Sequence, residues 1–214
     1  MTERRRQRIF DVLSRRQPDF TVLAEDVYKP HNLSAIIRSS EAVGIGTVHA
    51  VNPTGGVPTY SDTSASADKW VRLQVHADIN VAVDDLREQG MQVLAAHFTD
   101  RAVDYREVDY TKPTALILGN EKDGVSQRAG SLADEHVIIP MLGMVQSLNV
   151  SVAAAVILFE AQRQRFEAGL YSEPQMKKAE LDRLAFEWLH PREARVLRDR
   201  GETYPALELL PDSD

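Results

Sequence analysis

Short runs of apolar and β-branched residues punctuate the chain at intervals that leave room for a helix between most of them. Phe20–Leu23, Thr47–Val51, Val71–Val75, Gln92–Ala96, Thr114–Leu118 and the run Val137-Ile138-Ile139 before Pro140 each read as a buried strand. Between them lie segments with apolar residues at helical spacing, such as Ile36, Ile37 and Val43 before Gly44, and Val81–Gln89 stopped by Gly90. Strands alternating with helices predict an α/β fold, a mostly parallel sheet with helices on both faces. The segment Val103–Val108 is ambiguous and reads at most as a short edge strand.

Two stretches fall outside this alternation. Residues up to about Arg16 predict a helix whose apolar side is Ile9, Phe10, Val12 and Leu13, with arginines elsewhere. After Arg165 the chain becomes charged. Leu181, Leu184, Ala185, Trp188 and Leu189 give one amphipathic helix there, and Glu193–Arg200 gives a second. The expected organisation is a basic N-terminal helix over 1–18, a core over 19–169 and a helical tail over 170–214.

The rest of the chain is organised around residues 138–165. From Leu148 to Phe159 the helical pattern is apolar on nearly every side, so this helix needs cover beyond its own sheet. The preceding loop carries Gly143, Gln146, Ser147 and Asn149, and either Ser147 or Asn149 can cap the helix. Polar groups there lie at the helix's positive end, at the mouth of the core.

Composition narrows the classes. A chain of 214 residues suits one α/β domain with appendages, and no apolar run is long enough to span a bilayer. The basic start is not followed by the apolar segment of a signal peptide. The absence of cysteine removes disulfides, thiolate zinc sites and a cysteine nucleophile, which suits the cytoplasm. The six histidines lack metal-ligand spacing, so no metal site is expected. A net charge of −7 argues mildly against nucleic acid, but Arg4-Arg5-Arg6, Arg8 and Arg15-Arg16 make a local basic patch. The Gly/Pro/Ser/Thr-rich stretch from Pro53 to Ala67 has the composition of a mobile functional loop.

Two further strings concentrate chemistry. In Lys29-Pro30-His31-Asn32, leading into a helix that carries Arg38, Asn32 reads as an N-cap and the pair falls roughly on one side. In Gly119-Asn120-Glu121-Lys122-Asp123-Gly124, directly after the clearest buried strand, Glu121 sets a carboxylate where open parallel sheets bind ligands. Gly119 there would let a ligand approach the backbone. Each string also has a plain reading: a cap, a solvated arginine, an ordinary polar turn.

Taken in order, these two strings and IIPMLGMVQSLNVSVA resemble the three signatures of the SpoU-type RNA 2'-O-ribose methyltransferases, members of the knotted SPOUT class. Among them the chain is most similar to the tRNA guanosine methyltransferases. The resemblance implies a C-terminal trefoil knot, S-adenosyl-L-methionine as cofactor, a homodimer across the long helix, and tRNA as partner without metal or membrane. It implies catalytic roles for Asn32, Arg38, Glu121, Ser147 and Asn149. Cofactor contacts would come from backbone around Ala96, Gly119, Ile139 and Leu148. Arg8, Arg16 and His31 become RNA contacts. A guanidinium stays protonated in proteins, so Arg38 is expected as a phosphate clamp rather than a base. Three readings stay open: 2'-O-methylation of the D-loop guanosine (position 18) of tRNA, the same chemistry on a wobble nucleotide or rRNA, and a non-catalytic RNA-binding or other small-ligand domain. The basic start, the helical tail and the strings Arg15–Asp19 and Lys29–Asn32 favour the first.

Overall fold

The structure, a computed structural model, describes residues 2–51 and 69–205. The expected loop from Pro53 to Ala67 lies outside the described residues. The strands are β1 (Phe20–Glu25), β2 (Thr47–Val51), β3 (Arg72–His76), β4 (Gln92–Ala96), β5 (Val103–Asp104), β6 (Thr114–Leu118) and β7 (Glu135–Ile138). They form one sheet in the order β3-β2-β1-β6-β4-β7-β5, with every pairing parallel. The helices are α1 (Glu3–Leu13), α2 (Pro30–Ala42), α3 (Ile79–Glu88), α4 (Gln127–Leu132), α5 (Val150–Glu167), α6 (Lys178–Leu189) and α7 (Pro191–Asp199).

Successive strand residues face opposite sides, and both sides are covered, so the strands read as unbroken apolar runs. Val22, Ala24, Leu94, Leu116 and Leu118 pack with Leu33, Ile36 and Ile37 of α2 and with Ala154, Ile157, Leu158 and Ala161 of α5. Leu23, Val93, Ala95, Ala115 and Ile117 pack against Ile79, Ala82, Val83 and Leu86 of α3 and Ala129 of α4. Each fully buried Leu or Ile in these layers contributes about 1.5–3 kcal/mol.

Several local expectations change. α1 ends at Leu13 rather than near Arg16, and α4 has no apolar periodicity long enough to announce it. α2 begins at Pro30, with Lys29 in the capping position, because proline suits the first helical turn. Asn32 is therefore inside the helix and free for another partner. The ambiguous segment yields only β5, a two-residue edge strand beside β7.

The chain divides into two compact units, residues 18–168 and a second unit built from residues 1–17 and 169–214. In the larger unit the fully buried Arg165 near the end of α5 donates to the Tyr110 and Lys112 carbonyls, at 3.1 and 3.4 Å. It also pairs with Asp19, and its guanidinium lies 5.4 Å from the centre of the Phe20 ring. These partners compensate for desolvating a cation. In the smaller unit Ile9 and Leu13 of α1 form a core with Leu181, Ala185 and Leu189 of α6. Phe186 stacks between His190 and Tyr204, and Gln17 Nε2 donates to the Leu170 carbonyl at 3.0 Å.

Candidate active site

Because every strand is parallel, all carboxyl ends open on one edge, where ligands bind in such sheets. At the end of β1, Glu25 is followed by Asp26, the one non-glycine residue with positive φ (52°) among those described. The left-handed turn at Asp26, whose N–H donates to the Val51 carbonyl at 2.9 Å, redirects the chain toward α2. In the first turn of α2, Asn32 is buried and its Nδ2 donates to Glu121 Oε1 at 2.5 Å. Asn149 Nδ2 donates to Asn32 Oδ1 at 3.2 Å, so three side chains far apart in sequence form one polar chain.

Asn149 proves to be the cap of α5. Its Oδ1 accepts from Ser151 N at 2.8 Å and Ser151 Oγ at 2.7 Å, which turns its amide nitrogen toward Asn32. Glu121 occupies a closed turn, in which Asn120 and Gly124 exchange two 3.1 Å backbone hydrogen bonds. Asn120 Oδ1 also accepts from Lys122 N and Asp123 N, at 2.9 and 2.7 Å. A Cβ on Gly119 would stand 2.0 Å from the Gly124 carbonyl carbon. Gly119 is thus required by its own turn, and the space expected for a ligand at its side-chain position is filled by backbone. Glu121 Oε2 is buried with no hydrogen-bond partner.

The other expected residues are placed differently. Arg38 is exposed and makes no hydrogen bond or ion pair with described residues. Six helical positions put it about 9 Å along the axis from Asn32 and about 120° around it, so the two do not share a side. Ser147 is exposed, as are His31 on α2 and Arg8 on α1. Arg16 is 2% exposed, with its guanidinium 5.4 Å from the centre of the Trp188 ring, so it does not offer the free cation expected of a phosphate contact. Ala96, Gly119 and Ile139 lie at or just beyond the ends of β4, β6 and β7, which are neighbours in the sheet, and Leu148 directly precedes the Asn149 cap. The acidic excess lies in the larger unit: residues 18–168 hold twelve Lys and Arg against twenty Asp and Glu, whereas 1–17 and 169–214 hold thirteen against twelve.

The sequence reading missed Glu25, whose buried carboxylate accepts from Ser126 N at 2.9 Å and Ser126 Oγ at 2.6 Å. A single acidic residue ending an apolar strand was its only signal.

Residues 19–159 match the SpoU rRNA Methylase family, and residues 163–209 match the C-terminal region described as SpoU, rRNA methylase, C-terminal. The chain belongs to the SpoU methylase family. Among curated SpoU-family relatives, a tRNA (guanosine(18)-2'-O)-methyltransferase of Thermus thermophilus is 60% identical over 188 residues, 88% of this chain and 97% of its own. The protein of the same name from Escherichia coli is 51% identical over 207 residues, 96% of this chain and 90% of its own. Among solved structures, the A. aeolicus TrmH/SpoU tRNA modifying enzyme superposes with a TM-score of 0.82 at 39% identity, covering 88% of this chain and 96% of that one. The SpoU methyltransferase AviRb from Streptomyces viridochromogenes, in complex with the cofactor AdoMet, gives a TM-score of 0.62 at 31% identity, covering 70% and 59%.

Proposed function

We propose that this SpoU-family protein transfers a methyl group from S-adenosyl-L-methionine to the ribose 2'-oxygen of the D-loop guanosine (position 18) of tRNA. The observation that carries the reading is the Asn149–Asn32–Glu121 chain, which joins one residue from each of the three sequence strings at the carboxyl edge of the sheet. The names and extent of the similar proteins from T. thermophilus and E. coli support the substrate.

The cofactor would supply an electrophilic methyl group. The residues present suit it: Ala96, Gly119 and Ile139 offer backbone groups at or just beyond the ends of three neighbouring strands, and Ile139 and Leu148 add apolar side chains at the two ends of the loop before α5. Asn32 and Asn149 fix each other's amides and hold Glu121, giving a rigid polar wall for the nucleotide, and positioning of this kind can supply much of a rate. Arg38, exposed and without a partner among described residues, is free to grip a phosphate beside the target ribose. A phosphate oxygen held there would help accept the hydroxyl proton. Ser147, exposed at the end of the loop before Leu148, would meet the nucleotide from the α5 side. The exposed Arg8 and the arginines beside it on α1 favour tRNA on that helix, the exposed His31 lies on the same helix as Asn32 and Arg38, and a tRNA substrate fits a protein of the cytoplasm.

A trefoil knot and a homodimer belong to the same proposal. β7 pairs with both β4 and β5, although those strands are joined directly by residues 97–102, and a strand entering between two linked strands supports a threaded chain. Val152, Phe159 and Phe166 recur every seven residues on α5 and are 47%, 49% and 70% exposed, an apolar stripe suited to a second copy. Val152→Glu with Phe159→Glu should shift sedimentation to a monomer, and an unchanged dimer would reject this interface. The reaction is tested by incubating the protein with labelled cofactor and a tRNA transcript, then mapping the methylated nucleotide. Label at guanosine 18 is expected; label at the wobble position, on rRNA alone, or nowhere overturns the assignment.

A further inference from the structure

The turn that presents Glu121 is held to β1 on both sides. Its entry is fixed by the ladder, in which Leu118 of β6 is the register partner of Ala24. Its exit is fixed by the next residue of β1, since both carboxylate oxygens of Glu25 accept from Ser126, one from its N–H and one from its hydroxyl. Ser126 Oγ in turn accepts from Ala129 N at 3.0 Å and so caps α4. Glu25 is 6% exposed and forms no ion pair with a Lys or Arg among the described residues. A carboxylate kept in the core with two hydrogen bonds from one residue, and His97 as the neighbouring titratable group, is costly to retain for packing alone. Such charge-assisted bonds are short and roughly twice as strong as neutral ones, and here they span 101 positions of sequence.

We infer that Glu25 is a positioning residue for methyl transfer, acting through Glu121; this rests on the reaction proposed above. Glu25, which ends β1, and Asp26, which follows it, divide the work. Asp26 turns the chain into α2 and so delivers Asn32. Glu25 holds the closing residue of the opposite turn and so delivers Glu121 to it. With Asn120 and Gly124 bonded to each other and the Gly119 side-chain position filled, the turn has little slack of its own. A shift at Ser126 therefore passes to Glu121.

Glu25→Gln keeps shape but not charge. Its amide can accept only at oxygen, and its nitrogen brings donors to a partner that already donates twice. Single-turnover methylation at saturating tRNA and cofactor should fall about ten-fold, in line with a lost charge-assisted hydrogen bond. Glu121→Gln alone should also be slow, and Glu25→Gln/Glu121→Gln should be no slower than Glu121→Gln. Losses that multiply, or a Glu25→Gln rate equal to wild type, would overturn the assignment. Hydrogen exchange supplies a readout independent of turnover. Amides of residues 119–126 should exchange several-fold faster in Glu25→Gln and at the wild-type rate in Glu121→Gln. Unchanged exchange in Glu25→Gln rejects the inference whatever the reaction proves to be, whereas a wild-type protein that methylates no RNA overturns the proposed function instead.

Discussion

Asn32 and Glu121, 89 positions apart, meet through a 2.5 Å side-chain hydrogen bond in which the amide donates and the carboxylate accepts. The polarity of that bond makes Asn32→Asp a severe change despite its equal size. Two carboxylates would face each other, and one would have to take up a proton. We expect single-turnover methylation to drop about a hundred-fold at pH 8, the scale of a small misplacement of reacting groups, and to recover in part as the pH is lowered. Unfolding free energy should fall by about 1–3 kcal/mol. A variant with wild-type rate at pH 8 would show that the pair is not used in the reaction.

Arg38→Lys and Arg38→Ala separate two roles for the exposed guanidinium. A phosphate clamp needs the planar fork, so Lys should retain part of the activity and Ala almost none, with cofactor affinity kept in both. The loss on truncation should be a few kcal/mol of transition-state stabilisation, about that of one oxyanion donor. A residue acting as base would instead let Lys, with its lower pKa, match wild type at high pH. Single-turnover rates across pH distinguish these outcomes.

Arg8 and Arg16 should now respond differently. Arg8 is exposed, and Arg8→Ala should weaken tRNA binding and lower the magnitude of its salt slope by about 0.7–0.9. Arg16 lies over Trp188, so Arg16→Ala should destabilise the smaller unit by about 0.5–2 kcal/mol and leave the slope unchanged. Salt titrations and thermal unfolding of both variants test the distinction. Equal flattening in the two would mean that Arg16 reaches phosphate after all.

His49 predicts an acid-sensitive fold. Burial, and then the neighbouring His76, push its pKa down to about 4, and its Nδ1 lies 2.8 Å from His76 Nε2. A base with a depressed folded pKa contributes its full stability above its ordinary value near 6.5 and loses it as the pH falls toward 4. The urea midpoint should therefore decline between about pH 6.5 and 4, and His49→Gln should flatten that decline. An equally steep decline in the variant would move the effect to other groups.

The sheet was legible because strands buried on both faces have only one way to appear in sequence, and Thr47–Val51, Gln92–Ala96 and Thr114–Leu118 keep the bounds their apolar runs suggest. The polar site was legible residue by residue but not in its contacts. Asn32 looked like a cap because Asn and Ser favour that position, and Pro30, which opens the helix two residues earlier, displaced it. Arg38 and Arg16 carry the same charge in sequence, yet one is exposed and the other lies on an aromatic ring more than 170 positions away. Periodicity records which side of a helix is apolar, and it holds nothing about which distant side chain a polar group will meet. Glu25 shows the same limit: its worth lies in Ser126, which no local pattern connects to it.

The smaller unit draws on two segments that flank the whole sheet in sequence, which imposes an order on synthesis. Ile9 and Leu13 leave the ribosome about 170 residues before Leu181, Ala185 and Leu189, which cover them. At about 5–20 residues per second, the nascent helix waits roughly ten to thirty seconds with its apolar side uncovered, while the sheet forms behind it. The arginines that crowd this segment carry like charge, so two such uncovered helices repel each other until the tail arrives to close the core.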